Sequence, residues 1–472
     1  MIRLTGNELY KIFHKKILYI IVILAIAGTL FINITDKILS KNEYEIEKIA
    51  NQNLIKIYEG EGDYTSPEYI DLKSSDEVLK IKKDKNAEPN SPLAYYIDTY
   101  VKGAYMTYYS AVADPNYGIT QEEAKSKLDD AIKMVDNFDW KYQINKDLEE
   151  YNAPGYCGDI TDTKCEQVKQ ESIKAANYRL KHNIPYAYND ASDALMGYSS
   201  EYDQYLDVKD SNDDVLSYDK LYNKKQTEKS YKEAEYLINN ELIDNEYDNY
   251  NSGVELVEKF AHPSFFVIIA LLALSASIVA EEFNKGTIKQ LLVKPFARNR
   301  IIISKMLAVI ITTVLLFFVL NISLTLINGA FRGDLNTLLK TDVIYNIKTN
   351  KVIEISYIKE ALLAFAYALP QLVLLGIFTF AVSVLTTNTA LSLGLGFGAY
   401  LSEEIFGILI NRFSFLSYMP TVNYNLTPYM FGGMQTTKYL TLQKALLVDG
   451  ISFVVLFILI LIIFKKKDIK NQ

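Results

Sequence analysis

The sequence predicts an all-α membrane protein, with six transmembrane helices and a mainly helical extracellular domain between the first and second. Three observations lead there. Apolar runs of span length recur at Ile17–Ile34, Ser264–Ala280, Met306–Phe331, Ala361–Ser402 and Ala445–Phe464, against the roughly 20 apolar residues a helix needs to cross a bilayer. Charge is segregated. Residues 35–263 carry 27 Lys and Arg against 46 Asp and Glu, a net of −19, while the rest of the chain is net +11. Within the acidic block, strand-like alternation is scarce and helical spacing is common. The overall mean hydropathy of +0.02 averages these two kinds of sequence.

Taken in order, Met1–Lys16 reads as a short amphipathic helix. Leu9, Ile12, Phe13 and Ile17 share one face, and Arg3, Lys11, Lys15 and Lys16 supply a cytoplasmic anchor at the headgroups. Ile17–Ile34 is an 18-residue run without a charge, followed by no small-residue cleavage site, so it reads as an uncleaved first span. The first segment is therefore 1–34. Residues 35–263 face outward, because the basic flank stays inside. There, Thr120 and Glu123 form a capping box ahead of Ala124, Leu128, Ile132 and Val135. Leu93–Ala111, Thr163–Lys181 and Glu228–Phe260 also read as helices. Loops fall at Gly60–Pro67, Asn86–Pro92, Asn152–Gly158 and Asp207–Asp219. About 230 residues suffice to bury a core. The many tyrosines suit a half-buried or partner-binding surface.

From 264 to 464 the chain is membrane. Between the second and third spans lies Glu281–Lys305, with six Lys or Arg against Glu281 and Glu282, so the positive-inside rule places it in the cytoplasm. Phe283, Thr287, Ile288, Leu291 and Leu292 fall on one helical face, and Pro295 ends that helix. This loop serves either orientation alone or the docking of a partner on its apolar face. Gly286, costly inside a helix by about 1 kcal/mol, speaks for docking. An outer loop of about 30 residues follows the third span. Ala361–Ser402 runs 42 residues without a charge, too long for one span, and Thr386-Thr387-Asn388-Thr389 divides it into a fourth and a fifth. Ala445–Phe464 is the sixth, stopped by Lys465-Lys466-Lys467. Residues 465–472 form a cytoplasmic basic tail, so both termini lie inside.

Four polar residues inside these runs are candidates for a transport path. Glu403 and Glu404 stand about 14 residues beyond Thr389, roughly 20 Å along a helix. A carboxylate at that depth needs a partner, a proton or water, unless the span starts later and the pair lies at the outer interface. Arg412 is one candidate partner. Gln371, beside Pro370, and Asp449 are the others. Gly394, Gly396 and Gly398 allow close helix contact or a kink.

Three stretches resemble the ABC-2 type permeases of Gram-positive exporters, which are the membrane subunits of ATP-driven transporters. They are Asn7-Glu8-Leu9-Tyr10-Lys11-Ile12-Phe13 before the first span, the series Glu282-Phe283, Gly286-Thr287, Leu291-Leu292, Pro295, Arg298 and Lys305, and Phe464-Lys465-Lys466-Lys467-Asp468-Ile469 after the last. The resemblance covers the termini and Ser264 onward, not the acidic block. It implies a permease subunit that pairs with a second copy or a related permease. It also implies that Glu282, Phe283, Gly286, Thr287, Ile288, Leu291, Leu292, Pro295 and Arg298 recruit cytoplasmic ATP-binding-cassette ATPase subunits. Met430–Met434 would be a re-entrant helix. Export of a peptide, lipid-like molecule, drug or ion is the implied activity. The rival reading is a membrane-anchored extracellular interaction or sensing module of a secretion or resistance assembly. No G-x-x-x-x-G-K-[ST] cradle for ATP phosphates occurs, nor an H-E-x-x-H or G-x-S-x-G motif. The chain is therefore expected to lack enzymatic activity, a metal and a cofactor of its own. The acidic block and the spans speak against nucleic acid.

Cys157 and Cys165, in CGDITDTKC, are the only cysteines. Outside the membrane they suit a small disulfide loop. Free thiols are the alternative, as is a metal site, for which His182 alone supplies too few ligands. Non-reducing mass mapping of the purified protein is expected to yield a Cys157–Cys165 cross-linked peptide; free alkylation of both thiols without reductant contradicts the disulfide.

Overall fold

The computed structural model describes residues 1–158, 163–248, 250–287 and 296–467. It is dominated by helices, as the sequence predicts. The chain divides into two compact units: residues 1–33, 212–225 and 250–472, and residues 34–211 and 226–249.

The second unit is helical throughout its described residues. It takes in the later part of α2 (Lys16–Glu61), then α3 (Pro67–Asp84), α4 (Pro92–Tyr96), a π turn at Ile97–Val101, α5 (Lys102–Ala113), α6 (Gln121–Asp136), α7 (Trp140–Tyr151), α8 (Thr163–His182), α9 (Asp190–Val208) and most of α10 (Tyr218–Asn239). Short polar residues start these helices, because a helix leaves its first N–H groups without partners. Ser66 and Ser91 cap α3 and α4, each with Pro at the first helical position. Thr120 and Glu123 form the expected reciprocal box at α6, and Asn189 caps α9. The expected helix over Glu228–Phe260 is broken. α10 ends at Asn239, and α11 (Ser252–Ala261) starts afresh behind an Asn251 cap. α2 also differs: it runs unbroken for 46 residues, past the expected boundary at residue 34. Cys157 and Cys165 are joined by a disulfide.

Tyrosine builds much of this unit's core rather than only its surface. Tyr178, Tyr198 and Tyr231 are buried with Ile184, Leu195, Ile238 and Ile243. Each phenol keeps a polar partner, as a buried tyrosine requires. The Tyr198 hydroxyl donates to Glu171 at 2.6 Å, that of Tyr178 to the Ile243 carbonyl at 2.9 Å and that of Tyr231 to Glu235 at 2.8 Å. The buried Arg179 guanidinium ties the α8–α9 corner. It donates to the Ser192 carbonyl at 2.6 Å and lies over the Tyr186 ring at 4.2 Å.

The first unit holds α1 (Ile2–Phe13), the start of α2, α11, α12 (Phe265–Asn284), α13 (Arg298–Arg332), α14 (Tyr357–Thr386), α15 (Thr389–Leu409) and α16 (Leu442–Lys466). α14 is central and packs on α11, α12, α13, α15 and α16. Small residues allow the closest approaches. A Cβ at Gly396 would lie 2.4 Å from Thr379 Oγ1, and one at Gly376 would lie 2.7 Å from Leu271. Gly394 and Gly398 face open space, so only Gly396 of that series makes a close helix contact. The Thr386–Thr389 turn forms as expected, with Thr387 at φ +53°.

Among the described residues, five helices are long and apolar enough to cross a membrane: Lys16–Leu39, Ser252–Asn284, Arg298–Arg332, Tyr357–Thr386 and Leu442–Lys466. Their outward faces, such as Leu447, Ile451, Val454 and Ile458 on α16, are exposed and apolar, as lipid contact requires. These are the features of a transmembrane protein. The expected fifth span is the helix α15, but Glu403 and Glu404 leave it outside that set.

Three further expectations change. The long loop after α13 contains an antiparallel β-hairpin, Thr341–Asn346 paired with Lys351–Ser356, turned by Asn346 Oδ1 accepting from the Lys348 and Thr349 amides at 3.1 Å. Met430–Met434 is not a re-entrant α-helix. Thr427–Gly432 is a short 3-10 segment kinked at Met430 and Phe431, whose Phe431 carbonyl accepts from the Ile347 amide beside the hairpin. The loop between α12 and α13 is shorter than Glu281–Lys305, because its ends belong to the two helices.

Glu201 on α9 is half-buried, and its Oε2 has no hydrogen-bond partner. Burial alone pushes its carboxyl up from the ordinary 4.5. The folded state then holds the proton more tightly than the unfolded chain, so stability is full below pH 4.5 and falls as pH rises through the raised value. Glu201→Gln is expected to stabilise the full chain by about 1 kcal/mol at pH 7, with the gain vanishing below the ordinary carboxylate range. Thermal unfolding followed by tyrosine circular dichroism at the two pH values measures it.

Candidate functional site

Two polar sites stand out in the span-bearing unit. The first lies where α1, the end of α12 and the start of α13 meet. Lys305 is fully buried, with 0% of its side chain exposed, and bridges Glu8 at 2.8 Å and Glu282 at 2.7 Å. Lys11 reaches the same two carboxylates at 3.0 and 2.9 Å. Lys15 adds a bond to Glu281 at 3.1 Å and to Ser277 Oγ at 2.8 Å. Taking these charges out of water is costly, so each must have close opposite partners. Burial pushes the Glu8 carboxyl up, but the ammoniums of Lys305 and Lys11 outweigh it and hold it below 4.5. Lys11 is raised: burial pushes it down, and Glu282 and Glu8 pull it up further.

This pairing explains why α1 buries a different face from the expected one. Thr5, Glu8 and Ile12 are buried, while Phe13 and Ile17 are exposed. Lys11 and Lys15, expected at the headgroups, are tied to protein carboxylates instead.

The ends of the other helices join the same region. The Arg298 guanidinium donates to the carbonyls of Lys465 at 3.2 Å and Lys467 at 3.3 Å, capping α16. Lys467 Nζ donates to the carbonyls of Val384 and Leu385 at 2.7 and 2.9 Å, and lies 5.2 Å from the centre of the Phe283 ring. Of the residues expected to couple to an ATPase, Glu282, Phe283 and Arg298 thus make these internal contacts. Gly286 does not sit inside a helix: α12 stops at Asn284, and Gly286 takes φ +68°, a conformation glycine adopts without strain. Phe283 therefore belongs to the span's helix, and the expected continuous face from Phe283 onward is broken. Ile288, Leu291, Leu292 and Pro295 lie outside the described residues, as do Asp468 and Ile469.

The second site lies between α14 and α15. Gln371 Nε2 donates to Glu403 Oε2 at 2.9 Å. Gln371, Glu403 and Glu404 line one cavity of about 500 Å³ with His262, Tyr400 and Asn425. Glu403 is half-buried and Glu404 exposed, as expected for neighbours pointing about 100° apart. Arg412 does not pair with Glu403; its guanidinium lies over the Phe413 ring. Asp449 does not line this cavity. It is 7% exposed on α16, and neither carboxyl oxygen has a hydrogen-bond partner.

The opposite ends of α11 and α13 hold a further cluster. Glu255, 1% exposed, accepts from Arg332 at 2.6 Å and Asn328 at 2.5 Å, and pairs with Lys259. Asp334 accepts from the Ser252 amide at 2.8 Å and from Arg332 Nε at 3.1 Å. The sequence gives Glu255 and Lys259 at helical spacing, but Arg332 lies 77 residues away from Glu255.

Residues 220–470 match a family described as protein of unknown function (DUF2705). The chain belongs to that family. The matched stretch holds α12 to α16, hence Glu282, Lys305 and the Gln371–Glu403 pair, and leaves α1 and most of the acidic unit outside. The chain is also 30% identical over 211 residues to the "Uncharacterized protein YhcI" of Bacillus subtilis (strain 168). That alignment covers 44% of this chain and 64% of the relative, so the chain spans less than two thirds of that relative's length. No solved structure matches.

Lys305→Met leaves Glu8 and Glu282 facing each other without their shared cation. It is expected to destabilise the protein by about 3–5 kcal/mol, while adding Glu8→Gln and Glu282→Gln recovers most of the loss. Because Glu8 is held below its ordinary value, its contribution is present above pH 4.5 and is lost as pH falls below it. Thermal unfolding in detergent for the single and triple variants measures both effects.

Proposed function

We propose that this chain is the permease subunit of an ATP-binding-cassette exporter, driven by separate ATPase subunits that bind beside α1 and the α12–α13 loop. The single observation that supports this is the meeting of the three resemblance stretches. Glu8 of the first pairs with Lys305 of the second, which also holds Glu282, and Arg298 of the second donates to the Lys465 carbonyl of the third, although these residues are far apart in sequence. A partner that pushes on the loop between α12 and α13 pushes on α1, α14 and α16 as well, because their ends are tied. That is the arrangement a transporter needs if ATP-driven movement is to tilt several helices together.

In this reading six spans place both termini and the loop in the cytoplasm, with α15 as the fifth span despite its carboxylates. The acidic helical unit lies outside, where its disulfide is stable. A second copy or a related permease completes the transport path, for which Gln371, Glu403, Glu404 and Asp449 remain the candidates.

Leu291 carries the test, since the sequence places it on the loop's apolar face. Leu291→Asp is expected to reduce co-purification of an ATPase at least fivefold in detergent pull-downs, with insertion and yield unchanged. Unchanged recruitment and transport assign the loop to orientation alone.

A further inference from the structure

Beyond its span, α2 is amphipathic with its apolar stripe turned outward. One side faces α3: the Lys83 ammonium lies over the Tyr44 ring at 5.0 Å, Gln52 Nε2 donates to Asp76 at 3.4 Å, and Ile55 is buried. On the opposite side Leu39, Ile46 and Ile49 keep between 49% and 58% of their surface exposed. Leu39, Asn42, Ile46, Ile49 and Asn53 recur at steps of three, four, three and four residues, the spacing of a coiled-coil seam. Ile32 and Thr35 carry the same spacing back into the span, because α2 is unbroken. Lipid does not cover the outer part of this stripe. The span-length apolar stretch ends at Leu39, and Ile46 and Ile49 lie roughly 10 and 15 Å farther along the helix axis.

We infer that α2 pairs with α2 of a second copy of this chain, as a parallel two-stranded coiled coil that continues from the first span through Asn53. Charge favours this occupant. Residues 35–263 are net −19, whereas the five seam positions from Leu39 to Asn53 carry no charge. A basic partner is drawn to the acidic faces; a second acidic copy is repelled by them and meets this one along a neutral strip. Size favours it too. The strip offers far fewer residues than the roughly 20–30 a side that hold two soluble proteins together. It suits chains already confined to one bilayer, which sets them parallel and at high effective concentration. In register, the flanking pairs Glu45–Ala50 and Gln52–Ile57 bring no like charges together. Asn42 and Asn53 then each meet their own counterpart, the use of a seam asparagine that fixes register at a cost in stability. The pairing rests on the transport reading only in placing the acidic unit outside, and it needs no ATPase.

The test uses the full chain in membranes of its host, oxidised with copper phenanthroline. Ile46→Cys and Ile49→Cys are compared with Glu122→Cys, an exposed position on α6. Disulfide-linked dimer is expected at least fivefold above the Glu122→Cys level for both seam variants, with mass mapping showing each introduced thiol joined to its counterpart in a second copy. Adding Ile49→Glu to Ile46→Cys is expected to lower the yield at least fivefold, by setting two carboxylates against each other. Yields equal to Glu122→Cys, cross-links to a protein other than this chain, or a yield that Ile49→Glu leaves unchanged overturn the inference. Should either seam variant fail to insert, Asn53→Cys reads the same seam, and a yield equal to Glu122→Cys there overturns it. ATPase co-purification from the same membranes separates the two proposals. Cross-linking without ATPase recruitment keeps the coiled coil and discards the transport reading; recruitment without cross-linking does the reverse.

Discussion

The span-bearing unit depends on one ammonium group held between two carboxylates. Lys305 has no water to fall back on, since its side chain is fully buried. A lone charge in that position would shed its proton or unfold its surroundings. Glu8 and Glu282 remove that choice, and in doing so they fix where α1 must lie against α12 and α13. The face that α1 buries follows from this pair more than from its apolar residues. A charge-assisted contact is stringent about distance and direction in a way that leucine packing is not, so the clamp sets position where the apolar core sets only proximity.

The Glu255–Arg332–Asp334 cluster does at the far ends of α11 and α13 what Lys305 does at the near end. Between the two, the helices touch mainly through apolar and small side chains, with hydroxyls bonded to carbonyls, as where Ser383 Oγ donates to the Ala276 carbonyl at 2.7 Å. Helices α11 and α13 thus meet through ions at one end, and α12 and α13 through ions at the other, with apolar packing between.

Much of this was legible in the residues, and the gaps have physical causes. The positions of five span-length apolar helices, the Thr386–Thr389 turn and the Thr120 capping box follow from hydropathy and capping chemistry, which act within a few residues. Glu403 and Gln371 were visible as polar groups in apolar runs, but their pairing was not, because 32 residues separate them and periodicity carries no tertiary information. Lys305 looked like one more basic flank; a positive-inside signal reads the same whether the lysine meets headgroups or a buried carboxylate. The β-hairpin escaped because Val343, Ile344, Tyr345 and Val352, Ile353, Ile355 read as scattered apolar residues in a polar loop. Gly286, costly inside a helix, stands just past the end of α12 at φ +68°.

The chain positions of the clamped residues also order its biosynthesis. Glu8, Glu282 and Lys305 all exist once the ribosome has passed residue 305, so α1, α12 and α13 can lock before α14 has been made. Arg298 must wait for the Lys465 and Lys467 carbonyls, 167 and 169 residues later. Assembly therefore has an early closure and a late one.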